Sequence, residues 1–236
     1  MRVAVVVFPG SNADWDALYT LRDIAGADAR YVFHKEHELG PVDAVVVPGG
    51  FSYGDYLRCG AIACFSPIAG ALREFAARGG PVLGICNGFQ ILTELGLLPG
   101  ALTRNLRLRF ECRDVTVRVE APGVFTAGLR RGTVLRMPIA HAEGRYHCDA
   151  GTLAVLEAEQ RVAFRYCSAD GVLGREPTVN GSLAEIAGIY NERRNVLGLM
   201  PHPERAAEAL LGSDDGLALF RSLEAHLGAS PRLGRA

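Results

Sequence analysis

Residues 81–92 read Pro-Val-Leu-Gly-Ile-Cys-Asn-Gly-Phe-Gln-Ile-Leu, and no other stretch constrains the fold of this chain so strongly. Four mostly apolar residues, Val82 to Ile85, lead into Cys86, with Gly84 and Gly88 two positions to either side. A helix-like run over 89–95 follows at once. Strand, sharp turn and helix with a nucleophile at the apex make a nucleophile elbow, better known with serine. Side chains two residues from so tight a turn would collide, hence the glycines. The apex residue takes a strained backbone conformation, of the kind that clusters at functional sites. It also sits at a helix N-terminus, where free N–H groups and the macrodipole favour negative charge. A lone cysteine is often a buried structural residue. Here spacing, preceding strand and following helix agree on a nucleophile.

The elements around the elbow predict an α/β fold. Residues 3–8 form a continuous apolar run, as in a parallel strand covered on both faces. Residues 29–33 read as a weaker strand, and 44–47 as a buried one ending in Pro48-Gly49-Gly50. Between them Asn12 is expected to cap a helix, with Asp14 and Asp16 in its first turn and Leu18, Leu21 and Ile24 inward. Ser66 and Pro67 read as N-cap and first residue of another helix, with Ile68, Leu72 and Phe75 at helical spacing. This βαβαβ rhythm predicts a doubly wound, mostly parallel sheet with the active site at the strands' carboxyl ends.

The second half changes period. Val115, Val117 and Val119 alternate with Thr116 and Arg118, and 134–139, 162–166, 186–190 and 196–200 are further strands, so an antiparallel part is added. Ser213, Asp214 and Asp215 are expected to open a last helix that turns Leu219, Phe220, Leu223 and Leu227 inward. Residues 1–228 make one domain in this reading, and 229–236 a frayed tail.

Composition narrows the function. A net charge of −1 offers no electrostatic grip on nucleic acid or membrane. No apolar run approaches the roughly 20 residues of a membrane span. The start, with one basic residue and a short apolar run, reads as a strand rather than a signal peptide, so a cytoplasmic location is expected. Cysteines 59, 64, 86, 112, 148 and 167 show no C-x-x-C spacing, so reduced thiols and no metal site are expected.

A cysteine nucleophile needs a base. His202 follows the strand 196–200 in Met200-Pro201-His202-Pro203-Glu204-Arg205. Pro203 pushes His202 into an extended conformation, and residues i and i+2 of an extended segment point the same way. Glu204 then orients the imidazole, completing a Cys86–His202–Glu204 set. A rigid turn into a helix would explain the same residues in isolation; beside the elbow the catalytic reading is preferred. His141, in Ala140-His141-Ala142-Glu143-Gly144, is the rival base. His34 and His37 in a charged loop, and His226 in the last helix, suit solvated or structural roles. Asn87 N–H and the Gly49-Gly50 turn, with Gly50 as second donor, are the candidates for an oxyanion hole. Gln90, one turn beyond Cys86, leans back towards the elbow.

Together these motifs resemble the class I, triad-type glutamine amidotransferases, whose fold is flavodoxin-like. The longer strings 8–12, 48–63, 84–90, 138–144 and 200–206 resemble one family within that class, the glutaminase subunits of phosphoribosylformylglycinamidine synthase. The resemblance covers nearly the whole chain. It implies a purine-biosynthesis enzyme in which glutamine is hydrolysed through a Cys86 thioester, with His202 as base and Glu204 as orienting acid. Gly50, Asn87, Gln90 and His141 would line the oxyanion and substrate side. It further implies a large ATP-dependent synthetase subunit, which receives the ammonia and turns formylglycinamide ribonucleotide into the amidine, and a small third subunit. ATP and Mg belong to the partner, and this chain carries no cofactor. Ala13 stands where close relatives often have cysteine. The segment 165–182 is longer than in the shortest relatives, and Asn180-Gly181-Ser182 spells a glycosylation site that the expected location disfavours.

Two other readings compete. A cysteine-elbow hydrolase or stress protein of the same fold is opposed by Glu204 and the glycine string. A non-catalytic scaffold is opposed by the intact Cys–His–Glu set.

Overall fold

The computed structural model describes residues 1–174 and 178–229. Five parallel strands form one half of a nine-stranded sheet: β1 (Arg2–Val7), β2 (Asp28–Phe33), β3 (Ala44–Val47), β4 (Val82–Ile85) and β11 (Val196–Leu199). Their order, β2-β1-β3-β4-β11, is that of a flavodoxin-like sheet. Val3 to Val6, Ala44 to Val47 and Leu83 are fully buried, as the unbroken apolar runs require.

The other half is antiparallel. Beyond β11 come β10 (Ile186–Tyr190), β9 (Val162–Cys167), β6 (Glu111–Val119) and β7 (Val134–His141). Val115, Val117 and Val119 face the core, as their alternation predicts. A second sheet pairs β5 (Ala101–Thr103) with β8 (Arg145–His147). Helix α1 (Asp14–Tyr19), extended by a wider turn over Thr20–Ile24, packs on β1 and β2. Helix α2 (Ile68–Ala77) precedes β4, and α3 (Asn87–Glu94) follows it. Helix α4 (Ala150–Ala158), capped by the Asp149 carboxylate on Thr152 N–H at 2.9 Å, was not foreseen. The last helix, α5 (Leu217–Ala229), buries Leu219, Phe220 and Leu223, with Leu227 partly buried against the core.

Three expected caps are not formed, and for the two serines the reason is that tertiary partners claim the hydroxyls. Asn12 does not cap α1. Ala13 holds the N-cap position, its N–H bound to Gly49 O at 3.2 Å. The Ser66 hydroxyl pairs with Tyr53 Oη at 2.8 Å instead of capping α2. Ser213 Oγ donates to Arg136 O and Asp215 accepts Arg136 N–H, tying the last helix's approach to β7, and the helix itself begins at Leu217. His34 is buried at the end of β2, its Nδ1 2.7 Å from Tyr53 Oη, so its role is structural. Asn180 is also buried and gives its amide to Gly144 O at 2.8 Å, an environment unlike that of a glycosylated asparagine. Residues 230–236, in the tail expected to fray, lie outside the described residues, as do 175–177 of the 165–182 segment.

Candidate active site

Three of the parallel strands deliver the site. Cys86 N–H bonds Leu199 O at 2.8 Å, so the ends of β4 and β11 lie side by side. β3 flanks β4 on the other side and ends in Gly49 and Gly50. Cys86 has φ 50° and ψ −106°, the strained apex that the elbow demands. A β-carbon on Gly84 would stand 2.7 Å from the Gly88 carbonyl, and one on Gly88 would overlap Val47 O. The two glycines therefore let the turn close on itself and on β3.

His202 is extended, at φ −102° and ψ 91°, as the following proline predicts. Its Nδ1 lies 2.5 Å from Glu204 Oε1, with both side chains buried. The turn carrying them is braced on two sides. Thr20 Oγ1 donates to Glu204 O at 2.9 Å, and Arg205 pairs with Asp16 at 2.8 Å, both from the first helix. Burial alone would lower the His202 pKa. The Glu204 carboxylate and the Cys86 sulfur outweigh it and raise the value to about 10. Both influences favour a protonated ring, held between the Glu204 carboxylate and Cys86.

The antiparallel half closes the site from above. His202 N–H donates to Pro138 O at 2.9 Å, and Cys86 Sγ lies 3.8 Å from Ala140 O. Cys86 is only 5% exposed. Next to Ala140, His141 is buried as well, its Nδ1 3.1 Å from Asn105 Oδ1. Burial, then the charge of His202, depress its pKa to about 4. A ring so readily neutral, with its own partner in Asn105, is not oriented by a carboxylate as His202 is.

Gly49 and Gly50 divide their tasks. Gly49 faces the Cys86–His202 pair, while a β-carbon on Gly50 would overlap Gly10 O in the turn below. Gly49 O accepts Ala13 N–H, so the planar trans peptide turns the Gly50 N–H the opposite way. Asn87 opens α3, its Oδ1 taking Ser52 N–H at 3.1 Å and its Nδ2 donating to Gln90 Oε1 at 2.8 Å. Gln90 in turn donates to Glu143 O at 2.6 Å. The two amides thus tie the elbow to Ser52, Asp55 and Glu143.

Sequence reasoning missed Asn105, the Ala140 carbonyl and the Asp55–Cys59–Glu143 cluster. Cys59 Sγ donates to Glu143 Oε2 at 3.2 Å, and burial followed by Asp55 raises its pKa strongly, so it is no second nucleophile. None of these residues has a local pattern that would mark it. Among the described residues, no group of three or more His, Cys, Asp or Glu is placed to hold a metal, and no helix is long and apolar enough to cross a membrane.

Comparison with known proteins agrees with this geometry. Residues 1–215 match the family model described as a CobB/CobQ-like glutamine amidotransferase domain. The chain is 55% identical over 224 residues to phosphoribosylformylglycinamidine synthase subunit PurQ of Koribacter versatilis, covering 94% of this chain and 97% of the relative. In a structure of PurLQS from Thermotoga maritima, a chain 43% identical superposes with a TM-score of 0.84 over 96% of this chain and 98% of that one. The glutaminase domain of Trypanosoma brucei CTPS, 16% identical with a TM-score of 0.62 over 99% of this chain and 96% of that one, shares the fold. The chain belongs to the glutamine amidotransferase family and, within it, to the PurQ subunits of phosphoribosylformylglycinamidine synthase.

Proposed function

We infer that this chain hydrolyses glutamine to glutamate and ammonia, as the amidotransferase subunit of phosphoribosylformylglycinamidine synthase in purine biosynthesis. The observation that carries the reading is the strained Cys86 beside a His202 that Glu204 holds at 2.5 Å. The Cys86 sulfur adds to the carboxamide carbon of glutamine. The negative charge that develops on the carbonyl oxygen falls to Asn87 N–H and Gly50 N–H. The C–N bond then breaks, its electron pair leaves with nitrogen, and the His202 imidazolium supplies the proton that makes the leaving group ammonia. Water adds to the resulting thioester as His202 takes its proton, the C–S bond breaks, and glutamate departs. Gln90 shapes the substrate side through its bond to Glu143 O.

The ammonia goes to a large synthetase subunit, where ATP and Mg act and formylglycinamide ribonucleotide becomes the amidine, with a small third subunit in the complex. This chain supplies no cofactor. A cytoplasmic location fits such a pathway enzyme.

The test is covalent labelling by a diazoketone analogue of glutamine, together with Cys86→Ala in the complex. Label is expected on Cys86, and the variant should lose glutamine hydrolysis yet still form product from added ammonia. Substantial glutamate release by a verified Cys86→Ala protein would overturn the reading.

A further inference from the structure

Among the described residues, four buried side-chain atoms have no hydrogen-bond partner: Ser52 Oγ, His141 Nε2, His202 Nε2 and Glu204 Oε2. Three of them lie in or beside the candidate triad, and the chemistry above leaves His141 unused. Its ring is locked. Asn105 Nδ2 donates to Arg109 O at 2.9 Å and to His141 O at 2.8 Å, which fixes the amide's orientation. Asn105 Oδ1 is therefore the acceptor, and it also takes Gly144 N–H at 3.0 Å. His141 Nδ1, 3.1 Å from that oxygen, must carry the proton. Its other nitrogen, Nε2, is then a bare lone pair. Gly144 closes the ring's flank, because a β-carbon there would overlap the imidazole.

The segment that carries this ring lies against the candidate triad. It touches both nucleophile and base, through Ala140 O on Cys86 Sγ and Pro138 O on His202 N–H. A charge on His202 disfavours protonation of the His141 ring, as burial does more strongly. A buried acceptor left without a donor is costly and calls for an explanation. Ammonia leaving the His202 side of the substrate is a neutral donor of three N–H groups.

We propose that His141 Nε2 is the first acceptor met by the ammonia released at Cys86, receiving it as neutral NH3 on its way out of the site. This rests on the glutaminase reading given above. The chemistry of the acceptor suits the cargo. A carboxylate would stabilise ammonium, and an imidazolium would give ammonia a proton; either would remove the lone pair that makes ammonia a nucleophile. A neutral imidazole whose proton is pinned to Asn105 accepts the N–H without doing either.

The test uses the complete complex with its synthetase and third subunit. Glutamate and amidine product are measured together, with glutamine or with ammonium chloride as nitrogen source. His141→Leu is expected to lower product formed per glutamate by roughly 2- to 10-fold, as for the loss of one hydrogen bond. Product from ammonium chloride should match wild type. An unchanged ratio of product to glutamate would overturn the proposal, as would an equal fall of both. Gly144→Ala, which displaces the ring and keeps it, carries the same expectation if the leucine variant does not fold. Imidazole ¹⁵N NMR reads the lock directly: Nδ1 should be protonated and Nε2 bare, and a protonated Nε2 would overturn the proposal whatever the activities. A wild-type complex that releases no glutamate from glutamine would sink the glutaminase reading itself, whereas the ratio tests His141 alone.

Discussion

The α-carbon of Gly49 faces the His202 ring so closely that a β-carbon would stand 2.7 Å from Cε1 and 3.4 Å from Cys86 Cβ. The carboxyl ends of β3, β4 and β11 meet there, so the missing side chain is what lets Cys86 and His202 share the space.

Gly49→Ala should therefore leave the strands paired and push the imidazole off Cys86. A misplacement of about 1 Å at a reacting pair can cost about 10²-fold in rate. Steady-state glutamate release and a thermal melt check this together. A folded Gly49→Ala complex with wild-type kcat/KM would show that the ring tolerates the displacement.

The two histidines should separate by rate. His202→Ala is expected to lose roughly 10²–10⁴-fold in glutamine hydrolysis, the worth of a positioned general base. Glu204→Gln should lose less, since the glutamate orients the ring without exchanging protons itself. His141→Ala should cost less hydrolysis than His202→Ala. A far larger loss at His141 than at His202, with both proteins folded, would exchange their roles.

Glu204 also makes stability depend on pH. Burial tends to lower the His202 pKa, but Glu204 and Cys86 raise it to about 10, above the ordinary imidazole value of about 6.5. A raised folded-state value means stabilisation that is complete below about pH 6.5 and is lost as pH climbs through about 10. Glu204→Gln removes the largest raising influence, so its urea midpoint should trail wild type most near neutrality. The gap should close towards pH 10. A gap that widens with pH would contradict the imidazolium assignment.

Isolated, the chain should hydrolyse glutamine poorly, and the complex with ATP and acceptor should raise the rate. The loop after Gly50 places Tyr53, Asp55 and Leu57 at positive φ, beside Gly54 and Gly60, and Cys86 Sγ points at Ala140 O while His202 Nε2 meets the geometric criteria for a hydrogen bond with no atom of the described residues. A shift of an oxyanion donor on that loop can cost about 10²–10³-fold. Equal kcat/KM for the chain alone and for the complex would refute such gating and leave the triad standing.

Much of the site was legible because its rules are local. Cys86 between Gly84 and Gly88 obeys the sterics of one turn. The His202–Glu204 pair follows from Pro203, which imposes an extended backbone on its neighbour. Apolar runs such as 44–47 and 82–85 report parallel strands buried on both faces. Ser66 and Ser213 do not cap their helices because each hydroxyl bonds something distant in the chain, whereas α1 simply starts one residue later than expected, with Ala13 rather than Asn12 at its N-cap. A side chain that can bond either its own helix or a neighbouring segment carries no mark of which it will choose.

From the residues alone come the elbow at Cys86, the pairing of His202 with Glu204 and the parallel character of the first-half strands, since strand, turn and dipeptide geometry act over a few residues; the flavodoxin-like order came with the family resemblance. Tertiary structure alone decided that 138–141 crosses back over Cys86, and that Asn105, 36 positions before His141, fixes that histidine's proton. It also decided that Gly49 rather than Gly50 faces the ring. Those relations depend on how two sheet halves with different periods fit together, and shape complementarity between distant segments leaves no pattern in either one.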